Sequence, residues 1–374
     1  MNLDTVLHPV LAAAAEHAPA VDADGRFPAE AVSALAASGL LGLTLPEPEG
    51  GLGGGPQEFA QVTAALAEAC GSTAMVYLMH ISAAMTVMSA PPPGAPSLLS
   101  GMADGRMLAT LAFSEPGSRS HFWAPLSQAK RDGGPDAQFT ADKSWVTSAG
   151  HAQLYVTSVQ SADEPGTVDL YAIEADRPGV SVTGSFLGLG LRGNASAPMR
   201  FEVSVPDTAR LGEAGSGLAR MTETVMPWFN LGNAAVSLGL ASAALQAAVR
   251  HTMSATLQHT GQTLAELPTI RARLAQTSLR LEAANAYLAA AAASMAAPDE
   301  QTPLYVLGVK ALANDTALAV TDDAMRVCGG AAFSHHLAIE RYFRDARAGH
   351  VMAPTADVLY DFYGKAITGQ PVFG

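Results

Sequence analysis

The spacing of apolar residues divides the chain into three stretches. Over residues 1–107 the pattern is mostly helical. Val32, Leu35, Ala36, Gly39 and Leu40 recur at helical spacing before a turn-rich segment, Pro46–Pro56, that carries Gly50, Gly51, Gly53, Gly54 and Gly55. A second helix is expected from Pro56 to Glu68, and Ala90-Pro91-Pro92-Pro93-Gly94 is a stiff connector. Over 108–212 short runs rich in Val, Tyr, Phe and Thr alternate with Gly, Pro, Asp and Asn: Gln153–Val159, Val168–Ala175, Gly179–Val182 and Met199–Val205. These predict antiparallel strands in a small β-barrel or sandwich. Over 213–374 helices return. Trp228–Thr252 is long, Ala-rich and nearly charge-free, which predicts burial among neighbours, and Leu267–Ala297 and Leu304–Cys328 follow it. The expected fold class is α+β: an N-terminal helical domain (1–107), a central antiparallel β-barrel domain (108–212) and a C-terminal four-helix bundle (213–374).

Composition narrows the function. Of 374 residues 49% are hydrophobic and 15% charged, a globular balance. A net charge of -13 argues against nucleic-acid or anionic-membrane partners, which reward basic patches. Cys70 and Cys328 stand in apolar or Gly-rich contexts without a second ligand at metal spacing, so both are expected to be buried free thiols. No apolar run is expected to span a membrane; the Ala-rich stretch around 284–297 comes nearest, interrupted by Glu282, Asn285 and Ser294. Met1-Asn2-Leu3-Asp4 lacks the basic start of a signal peptide, and a cytoplasmic protein is expected. No metal site is expected: His335 and His336 are adjacent, and adjacent side chains diverge. The glycines of Leu187–Gly193 lie in a strand-like context and do not form a phosphate cradle.

Several segments, in order, resemble the acyl-CoA dehydrogenase superfamily. Phe27-Pro28, Gly39-Leu40-Leu41-Gly42 and Leu45–Gly53 are similar to its opening. Phe113-Ser114-Glu115-Pro116-Gly117-Ser118-Arg119-Ser120 resembles its flavin loop, and Lys143-Ser144-Trp145-Val146-Thr147-Ser148 its Lys-x-Trp strand. Leu189–Gly193, Phe201–Pro206 and Leu211-Gly212 resemble the exit from the β domain, and Arg326–Gly330 and Glu340–Arg347 the two C-terminal motifs. The resemblance implies a helix, β-barrel and helix-bundle fold, an FAD cofactor, an acyl-CoA or other small-molecule substrate, and a homodimer or homotetramer. It implies flavin contacts from Phe113, Ser114, Ser120, Trp145 and Thr147, with Trp145 over a ring face. Gly329 and Gly330 would allow a pyrophosphate to approach the backbone, and Thr355 would lie beside the flavin.

The departures from the family bear on the reaction. The family's usual base is a Glu eight residues beyond the Asp of the Arg-Asp-Ala motif; eight beyond Asp345 stands Ala353, whose methyl group cannot accept a proton. The other family position for the base, reached by counting back from Gly239, holds Phe229 and Asn230. The nearest substitutes are Asp357, one helical turn on, and His350, three residues before. Asp357 in a first helical turn also suits the helix dipole. The family's Arg-x-x-Phe-Gly, which reaches a partner subunit's FAD, has neither its Arg nor its Phe around Ala255–Gly261, and Arg326 is the alternative contact. Three functions stay open: a dehydrogenase with a relocated base, served by an electron-transfer flavoprotein; a two-component monooxygenase supplied by a flavin reductase, with His350 or His121 near the flavin; and a non-catalytic binding subunit.

Overall fold

A computed structural model of the chain describes residues 3–119 and 121–373. Five helices come first: α1 (Leu3–Asp24), α2 (Ala29–Ala37), α3 (Pro56–Ala69), α4 (Gly71–Ser89) and α5 (Ala95–Ala103). Six strands follow: β1 (Ala109–Ala112), β2 (Ala137–Val146), β3 (Leu154–Gln160), β4 (Val168–Glu174), β5 (Val180–Val182) and β6 (Ala197–Val205). The chain then returns to helix with α6 (Gly217–Arg220), α7 (Met226–Ser254), α8 (Pro268–Ala296), α9 (Thr302–Cys328), α10 (Ile339–Val351) and α11 (Ala356–Ile367). The class is α+β, helical with a small sheet domain, as the periodicity predicts.

Two compact units are distinguished. The first holds residues up to Phe59, Ser72–Gly188 and Arg192–Phe229; the second holds Ala60–Gly71, Leu189–Leu191 and Asn230 onward. Within the first, the strands form two three-stranded sheets, ordered β1-β3-β4 and β2-β6-β5. Side chains of both sheets meet in one core, including Phe139 of β2, Tyr155 of β3, Tyr171 of β4 and Phe201 of β6. β2 and β6 alternate buried and exposed residues because one face of that sheet is wet, whereas β3 and β4 are buried along nearly their whole length. One pairing departs from expectation: β1 and β3 run parallel. The intervening chain, which includes β2, is long enough for the crossover that a parallel pair requires.

In the second unit α9 packs against α8, α10 and α11. Small residues line a shared core: Ala244 and Ala248 of α7 with Ala324, Val327 and Cys328 of α9 and Ile339 of α10. The Gly-rich run has a structural use here. The Asp345 carboxylate accepts the Leu191 N–H at 2.6 Å, and a side chain at Gly190 would strike the Arg344 backbone at 2.5 Å. Two helical stretches, Gly71–Ser89 and Gly217–Ser254, are as long and apolar as membrane spans, and 89% and 72% of their most apolar windows are buried within the protein. They, rather than residues 284–297, are the most span-like. Cys70 and Cys328 are free and buried, and burial pushes the Cys328 thiol up to about 11.

Candidate functional site

Each unit carries part of the predicted residue set. In the first, a buried ion pair pins the loop after β1 to the middle of β2. Lys143 Nζ lies 2.6 Å from Glu115 Oε1 and donates to the Ser158 carbonyl, also at 2.6 Å. Glu115 Oε2 accepts the N–H groups of Leu126 and Ser127 at 2.8 and 2.9 Å. Burial pushes the Lys143 ammonium down to about 8, and the Glu115 charge opposes that fall. The backbone joins the same two segments, since Ser144 N–H donates to the Ser114 carbonyl at 2.8 Å.

This pinning places Ser114, half-buried, beside a bulge in β2. Lys143 pairs with Met199 and Val146 with Ala197, so two residues of β2 face one of β6. Trp145 sits in the extra space at φ 56°, a backbone conformation uncommon for a non-glycine residue, and its indole is 68% exposed. The Phe186 ring lies edge-on to it, centroids 6.3 Å apart. Phe113 is buried against Phe122 at 6.3 Å, and Phe122 meets Trp123, which meets His121. Thr147 is buried, with its hydroxyl 3.0 Å from that of Ser196. Ser120 lies outside the described residues. The loop and bulge therefore offer a half-buried backbone and hydroxyl next to a largely exposed aromatic side chain. These are the elements that a flat heterocycle with polar edges requires, so the residues present fit a flavin.

The second unit carries the rest. Arg326 is exposed in the last turn of α9, and Gly329, at φ 56°, ends that helix. A side chain at either Gly329 or Gly330 would meet nothing within 4 Å, so an external group can approach this backbone. Thr355 is the N-cap residue of α11 and half-buried, and Ala353 is half-buried two residues earlier. Asp357 is exposed in the first turn of α11. His350, in the last turn of α10, is one-third exposed, with Nδ1 3.4 Å from Asp315 Oδ1. Asp315 Oδ2 in turn accepts the Tyr360 hydroxyl at 2.6 Å, and burial with the Asp315 contact raises the Tyr360 phenol above its ordinary value.

Sequence reasoning missed Lys310. It is wholly buried in α9, and its Nζ donates to Asn314 and to the carbonyls of Gly349, Met352 and Pro354. The available signal was a lone basic residue inside the apolar run Val306–Ala313.

Comparison with known proteins decides the family. The descriptions "Acyl-CoA dehydrogenase, N-terminal domain", "middle domain" and "C-terminal domain" match residues 3–90, 110–203 and 215–368. The chain belongs to the acyl-CoA dehydrogenase superfamily. Among its relatives is the cyclohex-1-ene-1-carbonyl-CoA dehydrogenase of Geobacter metallireducens, 27% identical over 98% of this chain and 97% of the relative. Butyryl-CoA dehydrogenase from Megasphaera elsdenii has the same fold, with a TM-score of 0.90 at 22% identity over 98% of this chain and 99% of that one. The FAD complex of PigA superposes with a TM-score of 0.89 at 18% identity, over 98% of each chain.

Proposed function

We propose that the chain is an FAD-dependent oxidoreductase of the acyl-CoA dehydrogenase type that oxidises an acyl thioester between its α and β carbons. The observation that carries this reading is the exposed Trp145 indole, held on a β-bulge beside the pinned Ser114 loop. The Geobacter relative, whose name states CoA-thioester dehydrogenation, and the FAD complex of PigA support the cofactor and substrate class.

Bound FAD would supply the two-electron acceptor for a hydride from the β carbon. Phe113, Ser114, Trp145 and Thr355 would hold its ring system, and Arg326, Gly329 and Gly330 its phosphates. The α proton needs a base other than Ala353. His350 leads, as an imidazole three residues before Ala353 with the Asp315 carboxylate 3.4 Å from its Nδ1. Asp357 is the alternative, an exposed carboxylate one turn beyond Ala353. The products are an enoyl thioester, a protonated base and a reduced cofactor, which an electron-transfer flavoprotein would reoxidise.

The test is an anaerobic titration of FAD-loaded protein with a panel of acyl-CoA thioesters, following loss of oxidised-flavin absorbance. Bleaching is expected with wild type, and α-proton exchange is expected to be lost in His350→Ala or Asp357→Ala. Exchange persisting in both variants would remove the relocated base. The methyl group at 353 favours one second reading, a monooxygenase fed by a flavin reductase. No bleaching, with oxygen consumed only when a reductase is present, would put that reading in its place.

A further inference from the structure

Lys310 has no part in the chemistry proposed above, yet its surroundings are unusually specific. Its side chain is wholly buried, and the groups within hydrogen-bond reach of Nζ are all acceptors: Asn314 Oδ1 at 3.2 Å and the carbonyls of Gly349, Met352 and Pro354 at 2.9, 3.1 and 2.9 Å. Three N–H bonds are shared among four oxygens, which is the inventory of an ammonium. Burial pushes that ammonium down to about 7. Three of the four acceptors belong to one short stretch, residues 349–354, which ends α10 and leads into α11.

The same stretch is gripped from α7. Asn314 Nδ2 donates to Asn233 Oδ1 and to Ser237 Oγ at 2.9 and 2.8 Å, and Asn233 Nδ2 lies 3.7 Å from Met352 Sδ. A methyl at Gly349 would come within 2.6 Å of Asn314 Nδ2 and 2.7 Å of Ser237 Oγ and so would displace the side chains of this network. A helix end is ordinarily finished by water, by a glycine cap or by backbone bonds. Finishing it with a buried charge is a costly solution that suits a segment whose geometry must be unique.

We propose that Lys310 is a positioning residue: its ammonium fixes the backbone of residues 349–355 and thereby sets His350 and Thr355 for the reaction. The proposal rests on the roles given to His350 and Thr355 above. Because the clamp is a property of the protein alone, its mechanical half is measured without flavin.

The experiment compares wild type with Lys310→Met, which keeps the side-chain length and loses every N–H. Asn314→Ala serves as a second variant that leaves Lys310 in place and removes one acceptor together with the bonds to α7. Amide hydrogen exchange on the flavin-free proteins is expected to accelerate about tenfold or more at residues 350–353 and 355 while the α8 and α9 cores keep their protection. FAD affinity is expected to fall several-fold, and kcat with a thioester is expected to fall more than KM rises. Unchanged exchange at 350–355 in a folded Lys310→Met protein would overturn the clamp. Accelerated exchange with unaltered FAD affinity and kcat would overturn its functional half. If Lys310→Met does not fold, the same readouts on Asn314→Ala decide between these outcomes. Wild-type protein that binds no FAD would remove the function reading and, with it, the positioning role, whatever the exchange shows.

Discussion

Lys143 and Glu115 are 28 residues apart in sequence and form an ion pair with side chains 0% and 3% exposed. Both stand in segments whose family resemblance is visible in sequence, but their pairing is not, because a motif shows residue types and not which of them meet across a sheet. The pair makes Lys143→Met a severe change. It leaves the Glu115 charge buried with, among the described residues, the Leu126 and Ser127 N–H groups as its remaining donors, and stability measured by urea unfolding is expected to fall by about 3–5 kcal/mol. Adding Glu115→Gln should recover part of the loss, since the orphaned charge is then gone. His80 gives a second prediction at this scale. Its Nδ1 accepts the Ala109 N–H and its Nε2 donates to the Leu41 carbonyl, both at 3.0 Å, so the ring is held neutral, and burial pushes it down to about 4 from 6.5. Below pH 6.5 the unfolded chain takes up a proton that the folded chain refuses. Stability should therefore decline as pH falls from about 6.5 to about 4, by roughly 1.4 kcal/mol per unit, and rise with pH across the same window. His80→Gln should flatten that part of a pH series of unfolding curves; an unchanged slope would remove His80 as its source.

Elements differ in how openly they announce themselves. The predicted strand at 168–175 lies within a residue of β4, and the predicted helices at 228–252, 267–297 and 304–328 lie within two residues of α7, α8 and α9. α4 went undelimited because it is apolar all round: Met75 to Leu78 and Ile81 are all nearly inaccessible, so no stripe separates a wet face from a dry one. The parallel β1–β3 pair escaped because four buried residues, Ala109–Ala112, carry no alternation to read. Close helix approach, by contrast, is visible in the small residues of α7. A methyl at Gly239 would lie 2.3 Å from the Ala64 carbonyl of α3. Gly239→Ala should force the backbones apart and lower the urea midpoint by an amount worth about 1–3 kcal/mol. An unchanged midpoint would mean that this helix contact can relax. The bulge in β2 is testable too. Deleting Ser144 restores one-to-one pairing between Lys143–Met199 and Val146–Ala197, which leaves Trp145 opposite Pro198 in ordinary strand geometry; the indole loses its bulged pose, and FAD affinity should fall.

For the molecule as a whole, the order of helical, β and helical stretches was legible from periodicity, and the family from six weak motifs in sequence order. A base was not legible, because Ala353 and Phe229-Asn230 occupy the two positions that a motif could mark, and a replacement is defined by geometry. A cofactor that binds only the folded chain should raise the unfolding free energy by about 2.7 kcal/mol at one hundred times its Kd. Thermal unfolding with and without FAD measures this, and an unshifted midpoint at saturating FAD would argue against the flavin reading. The solvent-facing indole of Trp145 also has an optical consequence. Its emission should fall at the red end of the tryptophan range and overlap flavin absorption, so a ring stacked on it would darken the protein. Trp145→Phe should then lose part of the FAD-dependent quenching, and the occupancy of the site could be read from light alone.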